Sequence, residues 1–136
     1  MLGTRRVDPS SVDVDEEGAM TPTLVIIDDH AGFRAFAKAL FEAEGYNVVG
    51  EAADGASGAD LVCRLLPDVV LLDVVLPDVD GFAVSERIAD NAPGCAVVLT
   101  STRSAMSYGG RVSASPALGF VGKSELSGSA VSRLTG

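Results

Sequence analysis

The chain has 136 residues, enough for one domain with a sizeable core. Ten basic against nineteen acidic side chains leave a formal net charge of −9 at pH 7, which argues against nucleic acid or an anionic membrane as a direct partner. No apolar run is long enough to span a bilayer, no basic-then-apolar signal segment opens the chain, and Cys63 and Cys95, far apart and without a CxxC, read as reduced packing residues of a cytoplasmic protein.

Residues 1–21 mix acidic residues with Ser, Gly and Pro and show no apolar period, so they are expected to be a flexible acidic leader, with Met20 an alternative start. The domain proper is expected over residues 22–136. It begins with the β-branched run Thr23–Ile27, a buried strand that finishes in Asp28-Asp29-His30. Phe33, Phe36, Ala37, Leu40 and Phe41 then fall at i, i+3, i+4, i+7 and i+8, one apolar helix face, and Gly45 marks the stop. Tyr46 to Ala53 reads as the next strand. Asp54 caps a helix whose inward face is Ala59, Val62, Cys63 and Leu66, ended by Pro67.

Asp68-Val69-Val70-Leu71-Leu72-Asp73 is the element on which the rest turns. Its Val and Leu run suits a strand buried on both faces. It ends in a carboxylate, which costs free energy there unless it is paired or used. Pro77 and Asp80-Gly81 mark a tight loop into a helix over Phe82 to Ala89, with Asp78 and Asp80 reading as turn and cap residues. After Pro93-Gly94, Cys95 to Leu99 forms a fourth strand, ending in Thr100-Ser101-Thr102. The stretch Arg103 to Ser115, with Gly109-Gly110 and several serines, allows only a short or mobile helix. Gly119-Phe120-Val121-Gly122 is the fifth strand, ending at Lys123. Ser124 is the expected cap of a last helix carrying Leu126, Ala130 and Leu134. Five strands alternating with helices predict an α/β fold: a doubly wound, five-stranded parallel sheet with its strand ends gathered on one edge.

Those strand ends collect Asp28, Asp29, Asp73, Thr100 and Lys123. Three neighbouring carboxylates raise one another's pKa unless a cation neutralises them, and an oxygen-rich, partly hydrated site suits Mg²⁺. Thr100 offers a hydroxyl, and Lys123 an ammonium that suits a phosphate. A carboxylate nucleophile, a divalent ion, a hydroxyl and a lysine together describe phosphoryl transfer onto Asp73. His30 reads as a local hydrogen-bonding residue, and no Ser-His-Asp set or zinc constellation is present.

The joint pattern of Asp28-Asp29, Asp73 with Pro77 and Asp80-Gly81, Thr100, Phe120 and Lys123 resembles the receiver domain of bacterial two-component response regulators, over about residues 22 to 135. Asp29-His30, Val49-Gly50-Glu51-Ala52 and Gly119-Phe120-Val121-Gly122-Lys123-Ser124 are similar to the NarL/LuxR-like subfamily. The resemblance implies a flavodoxin-like fold with strand order 2-1-3-4-5 and five helices. It implies that Asp73 accepts a phosphoryl group from a sensor histidine kinase. Asp29, Asp73 and the backbone carbonyl of Val75 would ligate Mg²⁺, with Asp28 acting through water. Thr100 and Phe120 would form the switch pair, and Lys123 would bind the phosphoryl oxygens. Such a protein is a phosphoacceptor regulator of a downstream output, transcription by the resemblance, and not an enzyme in its own right. A second copy of the chain is a further candidate partner; DNA is reached only through an output domain absent from this chain, and no membrane is involved.

NarL/LuxR-like regulators usually carry a helix-turn-helix domain after the receiver, so the chain is expected to be an excised or truncated piece rather than a stand-alone receiver. Ser124 stands where many receivers have Pro. Two other classes fit less well. A haloacid-dehalogenase-type phosphatase needs a second Asp two residues after the nucleophile, where Val75 stands. A pseudo-receiver, a binding module not regulated by phosphorylation, typically lacks an acidic residue, the Thr or the Lys, and all are present. A Rossmann or P-loop fold needs a Gly-rich turn where Asp28-Asp29-His30 lies.

Overall fold

The computed structural model describes residues 13–14 and 20–135. Asp13–Val14 pairs antiparallel with Met20–Thr21, and the remainder of the expected leader over residues 1–21 lies outside the described residues. Beyond it run β1 (Thr23–Ile27), α1 (Ala31–Ala43), β2 (Asn47–Ala52), α2 (Gly55–Leu65), β3 (Val69–Asp73) and α3 (Gly81–Asn91). Next come β4 (Ala96–Ser101), a 3-10 turn (Ala105–Tyr108), α4 (Arg111–Ala114), β5 (Gly119–Gly122), a second 3-10 turn (Lys123–Glu125) and α5 (Gly128–Thr135). The strands form one parallel sheet in the order β2-β1-β3-β4-β5, the expected 2-1-3-4-5 arrangement.

Alternation along the strands builds a core on each face of the sheet. Val25, Ile27, Val70, Leu72 and Leu99 pack with Ala59 and Val62 of α2 and Val84 and Ile88 of α3. Leu24, Ile26, Leu71, Val98 and Val121 pack with Ala37 and Phe41 of α1 and Val131 of α5. With both faces covered, β1 and β3 are buried at every position, which is why their sequences are unbroken apolar runs. The register of β1 on β2 slips between Leu24, opposite Val48, and Val25, opposite Gly50. This bulge leaves Val49 unpaired and puts Glu51 opposite Ile26, on the face that carries α1.

Several local expectations need correction. Phe36 is 56% exposed, because the burying stripe of α1 runs through Ala37 and Phe41, with Phe33 and Leu40 at its margins. Leu66 is not on the inward face of α2: it is the C-cap, in the left-handed region at φ 48°, and its side chain is exposed. Pro67 disfavours continued helix at Leu66, so the turn ends one residue short of it. Ser124 caps nothing; it lies in the second 3-10 turn, and Ser127 Oγ accepts the Ala130 N–H at 3.0 Å instead. Gly45 does terminate α1, at φ 98°, and Asp54 does cap α2, accepting the Ser57 N–H at 2.8 Å.

Candidate functional site

The strand ends converge as the topology requires. Asp73, the last residue of β3, is 3% exposed, and Asp28, one past β1, is fully buried. Asp73 Oδ1 accepts the N–H of Val75 at 3.1 Å, and Asp28 Oδ1 accepts the N–H of His30 at 2.8 Å. Lys123 reaches between them from the end of β5, its Nζ 2.7 Å from Asp28 Oδ2 and 3.3 Å from Asp73 Oδ2. The Phe33 ring lies beneath that ammonium, 4.2 Å from centroid to Nζ. Asp29 lies at the exposed rim, and His30 Nδ1 is 3.2 Å from its Oδ1.

Two buried carboxylates therefore share one ammonium. Burial, and then the negative charge of Asp28, push the Asp73 pKa up to about 6, against the pull of the Val75 N–H and of Lys123. Burial alone would lower Lys123, but Asp28 and then Asp73 outweigh it and hold the ammonium above its usual range. Asp28 Oδ2 has its ion pair with Lys123 but no aligned hydrogen bond. Among the described residues, Asp28, Asp29, His30 and Asp73 each offer a ligand atom, all within 4.8 Å of one another. The three carboxylates are the hard oxygen set that suits Mg²⁺, to which an imidazole nitrogen adds little. An under-satisfied buried carboxylate beside a second one, with charge left uncompensated, fits a divalent cation.

The family model of the response regulator receiver domain matches residues 24–134. The chain belongs to this family. The receiver is 31% identical to the signal receiver domain of the response regulator NarL from Mycobacterium tuberculosis, covering 85% of this chain and 98% of that one with a TM-score of 0.75. A two-component response regulator of the LuxR family from Aurantimonas sp. SI85-9A1 is 28% identical over 76% of this chain and 75% of its own, with a TM-score of 0.72. BvgA of Bordetella pertussis, whose name describes a positive transcription regulator of virulence factors, is 32% identical over 75% of this chain and 49% of its length. The chain thus spans about half the length of BvgA and less of several other curated relatives that it matches. Receivers of this family bind Mg²⁺ at an acidic pocket of the kind described.

Not every expected group meets at the pocket of this receiver. Thr100 is fully buried at the β4 end, but its hydroxyl donates to the Val121 carbonyl at 2.6 Å, turned away from Asp73. Phe120 is half-buried on β5 opposite Leu99, so it is offset by one residue from Thr100, which pairs with Val121. Val75 is 55% exposed and lines, with His30, Asp73, Ser101, Thr102, Arg103 and Lys123, a cavity of about 180 Å³ beside the Asp73 carboxylate.

Sequence reading missed the groups that hold the pocket in shape. Arg34 Nη1 donates to the Asp28 carbonyl at 2.6 Å while its Nε pairs with Glu51 Oε1 at 3.1 Å, a contact that the β2 bulge makes available. Gly81 packs on the backbone after Asp73: a Cβ there would collide with the Asp73 carbonyl oxygen and stand 2.8 Å from Val74 Cα. Asp80 caps its own helix through the Ala83 N–H at 2.9 Å. Asp78 caps a different one, accepting the N–H groups of Gly55 at 2.8 Å and Ala56 at 2.9 Å, which staples the β3–α3 loop to α2. Those N–H groups hold its pKa below the usual carboxylate range. Asp78 could have been found only as an acidic residue without a local donor; Phe33 read only as part of an apolar helix face, and Arg34 and Arg103 carry no signal apart from the fold.

Proposed function

We propose that this receiver takes a phosphoryl group from the phosphohistidine of a sensor kinase onto Asp73. The carrying observation is the buried pair of carboxylates, Asp28 and Asp73, clamped by a single lysine at 2.7 and 3.3 Å. An Asp73 carboxylate oxygen attacks phosphorus; the P–O bond forms as the histidine P–N bond breaks, and the nitrogen keeps the electron pair and takes up a proton. Lys123 then turns its ammonium from the Asp73 carboxylate to the transferred oxygens, where negative charge gathers. Thr100 exchanges the Val121 carbonyl for a phosphoryl oxygen, a move of one hydroxyl at the strand end. Asp28, Asp29, Asp73 and the carbonyl of Val75 are the residues that would hold Mg²⁺. The ion, when bound, neutralises the carboxylates and screens the incoming phosphoryl charge.

Phosphorylation then shifts Thr100 and Phe120 to control an output that we propose to be transcription, exerted through an output domain outside this chain. Pairing with a second copy of the chain belongs to the same proposal, as does action in the cytoplasm; among the described residues no helix is long and apolar enough to cross a membrane. The test is intact mass after incubation with acetyl phosphate and Mg²⁺. One added phosphate is expected, absent from Asp73→Asn and in excess chelator. Equal labelling of the parent, of Asp73→Asn and of the chelated protein would sink the proposal.

A further inference from the structure

Two routes lead from the Asp73 pocket towards Phe120, and both meet at Tyr108. This residue closes the 3-10 turn Ala105–Tyr108. Its hydroxyl lies 2.7 Å from Oγ of Ser101, the residue after Thr100. Ser101 Oγ also accepts the N–H of Arg103 at 3.1 Å, so its proton remains free to donate to Tyr108. The Tyr108 ring stands edge-on to Phe82, centroids 5.6 Å apart, and its centroid is 6.2 Å from that of the Phe120 ring. Phe82 is itself fixed to the phosphoacceptor loop, because its neighbour Gly81 donates its N–H to the Val74 carbonyl at 2.7 Å. One route thus runs Thr100–Ser101–Tyr108, the other Asp73–Val74–Gly81–Phe82–Tyr108.

Resting on the phosphorylation reading above, we infer that Tyr108 is the positioning residue that holds this receiver in its resting arrangement, by pinning Ser101 with its hydroxyl and Phe120 with its ring. On this inference the Thr100 hydroxyl, as it leaves the Val121 carbonyl for Asp73, draws with it the strand end that carries Ser101. The 2.7 Å contact resists that movement. Once it parts, the Tyr108 ring is no longer tethered and Phe120 is free to turn. A tyrosine that only filled space between Phe82 and Phe120 would have no use for a hydroxyl set against the side chain next to Thr100. Met106 in the same turn is 89% exposed, whereas Tyr108 packs against the core.

A bond present only in the resting arrangement lowers the apparent affinity for whatever selects the other one. The probe is beryllofluoride with Mg²⁺, followed at the amide resonances of Val74 and Val75. Tyr108→Phe and Ser101→Ala are each expected to tighten the apparent affinity about fivefold, the population shift for one net hydrogen bond. The double variant should tighten it no further than Ser101→Ala alone, because that change already removes the bond to Tyr108 together with the acceptor of the Arg103 N–H. The chain has no Trp and two Tyr, so in Tyr46→Phe the tyrosine emission reports Tyr108 alone. That emission should change with the same midpoint as the amide shifts. An affinity unchanged by Tyr108→Phe, or two single effects that add, would overturn the inference while the parent's binding upholds the phosphorylation reading. Val74 and Val75 amides that ignore beryllofluoride in the parent would overturn both. A purely structural Tyr108 would lower thermal stability in Tyr108→Leu and leave the Tyr108→Phe affinity at the parent's value.

Discussion

The two halves of this receiver are built differently. Around β1, α1 and β3, Asp28 and Asp73 are buried, each held by a backbone N–H and by Lys123, beside a helix of 13 residues. Around β4 and β5, the connection is a 3-10 turn and an α4 of four residues, neither with a buried residue. There the attachments are partly buried: Tyr108 on Ser101, Phe82 and Phe120, Val112 against the core, and Arg111 on Asp80 and Phe82. The difference teaches that the half proposed to do the chemistry is over-determined, so it keeps its geometry, while the half proposed to respond hangs on contacts of about 1 kcal/mol each, small enough for a bound phosphoryl group to outweigh on that proposal.

The largest effect is expected in the rigid half. A Cβ on Gly81 meets backbone rather than the far end of a flexible side chain, so nothing can swing aside. Gly81→Ala is expected to cost about 3 kcal/mol in urea unfolding, the upper range for overpacking, and to weaken Mg²⁺ binding by displacing the backbone that follows Asp73. An alanine variant with the parent's unfolding midpoint and Mg²⁺ affinity would show that this half yields as readily as the other.

Next is Asp73 itself, in metal-free protein. Its folded pKa of about 6 lies above the ordinary carboxylate value, so the native state holds a proton that the unfolded chain has released. A raised pKa contributes stability below the unfolded value and loses it as pH rises through the folded one. Stability in chelator should therefore fall between pH ~4 and pH ~6. Asp73→Asn escapes that loss and should be more stable than the parent at pH 7 by on the order of 2 kcal/mol, the shift discounted for the weakened Lys123 contact. The gap should close near pH 4. A gap independent of pH would mean that the Asp73 charge is not what strains the pocket.

How much of this could be read from the chain follows the same division. Thr23–Ile27 and Gly119–Gly122 have their expected bounds, the parallel sheet follows from strands alternating with helices, and its order is the one that the resemblance implied. The family model and solved relatives bear out the receiver reading, whereas the roles given to Asp28, Asp29, Asp73, Val75, Thr100, Phe120 and Lys123 stand as proposals. Where reading stopped short, the cause was tertiary. Phe36 and Leu66 fit an apolar period but face solvent, because a stripe does not say where its edge lies. Asp78 was assigned to its own turn, because a cap across 22 or 23 residues leaves no local trace. The link from Tyr108 to Ser101 was hidden in a segment whose glycines and serines speak only of weak helix.

A smaller effect concerns how long the phosphoryl group lasts. Val75 and Thr102 both line the cavity beside Asp73, and neither carries a carboxylate or amide to orient an attacking water. Slow self-dephosphorylation is expected, and the double variant Val75→Asn with Thr102→Glu should shorten the lifetime roughly tenfold, the low end for aligning a nucleophile. Decay of the labelled species by intact mass measures it. A double variant that keeps its phosphate as long as the parent would move control of the lifetime away from these positions.

The smallest effect tests the loose half directly. Arg111 is the one residue of α4 that reaches α3 by charge, its Nη2 3.0 Å from Asp80 Oδ2 and its guanidinium 4.4 Å from the Phe82 ring centroid. Both partners are near solvent, so the ion pair is screened and the ring contact carries most of what Arg111 contributes. Arg111→Ala is expected to cost about 0.5 kcal/mol of global stability, little more than a surface substitution. Hydrogen exchange should nonetheless quicken severalfold across the segment from Ala105 to Ala114 and hardly change in α1, because the lost contact holds a local unit and not the core. The alternative outcome is equally readable: exchange that quickens in α1 and β1 as much as in α4 would mean that the two halves open together, and the contrast between a fixed chemical half and a movable response half would fail.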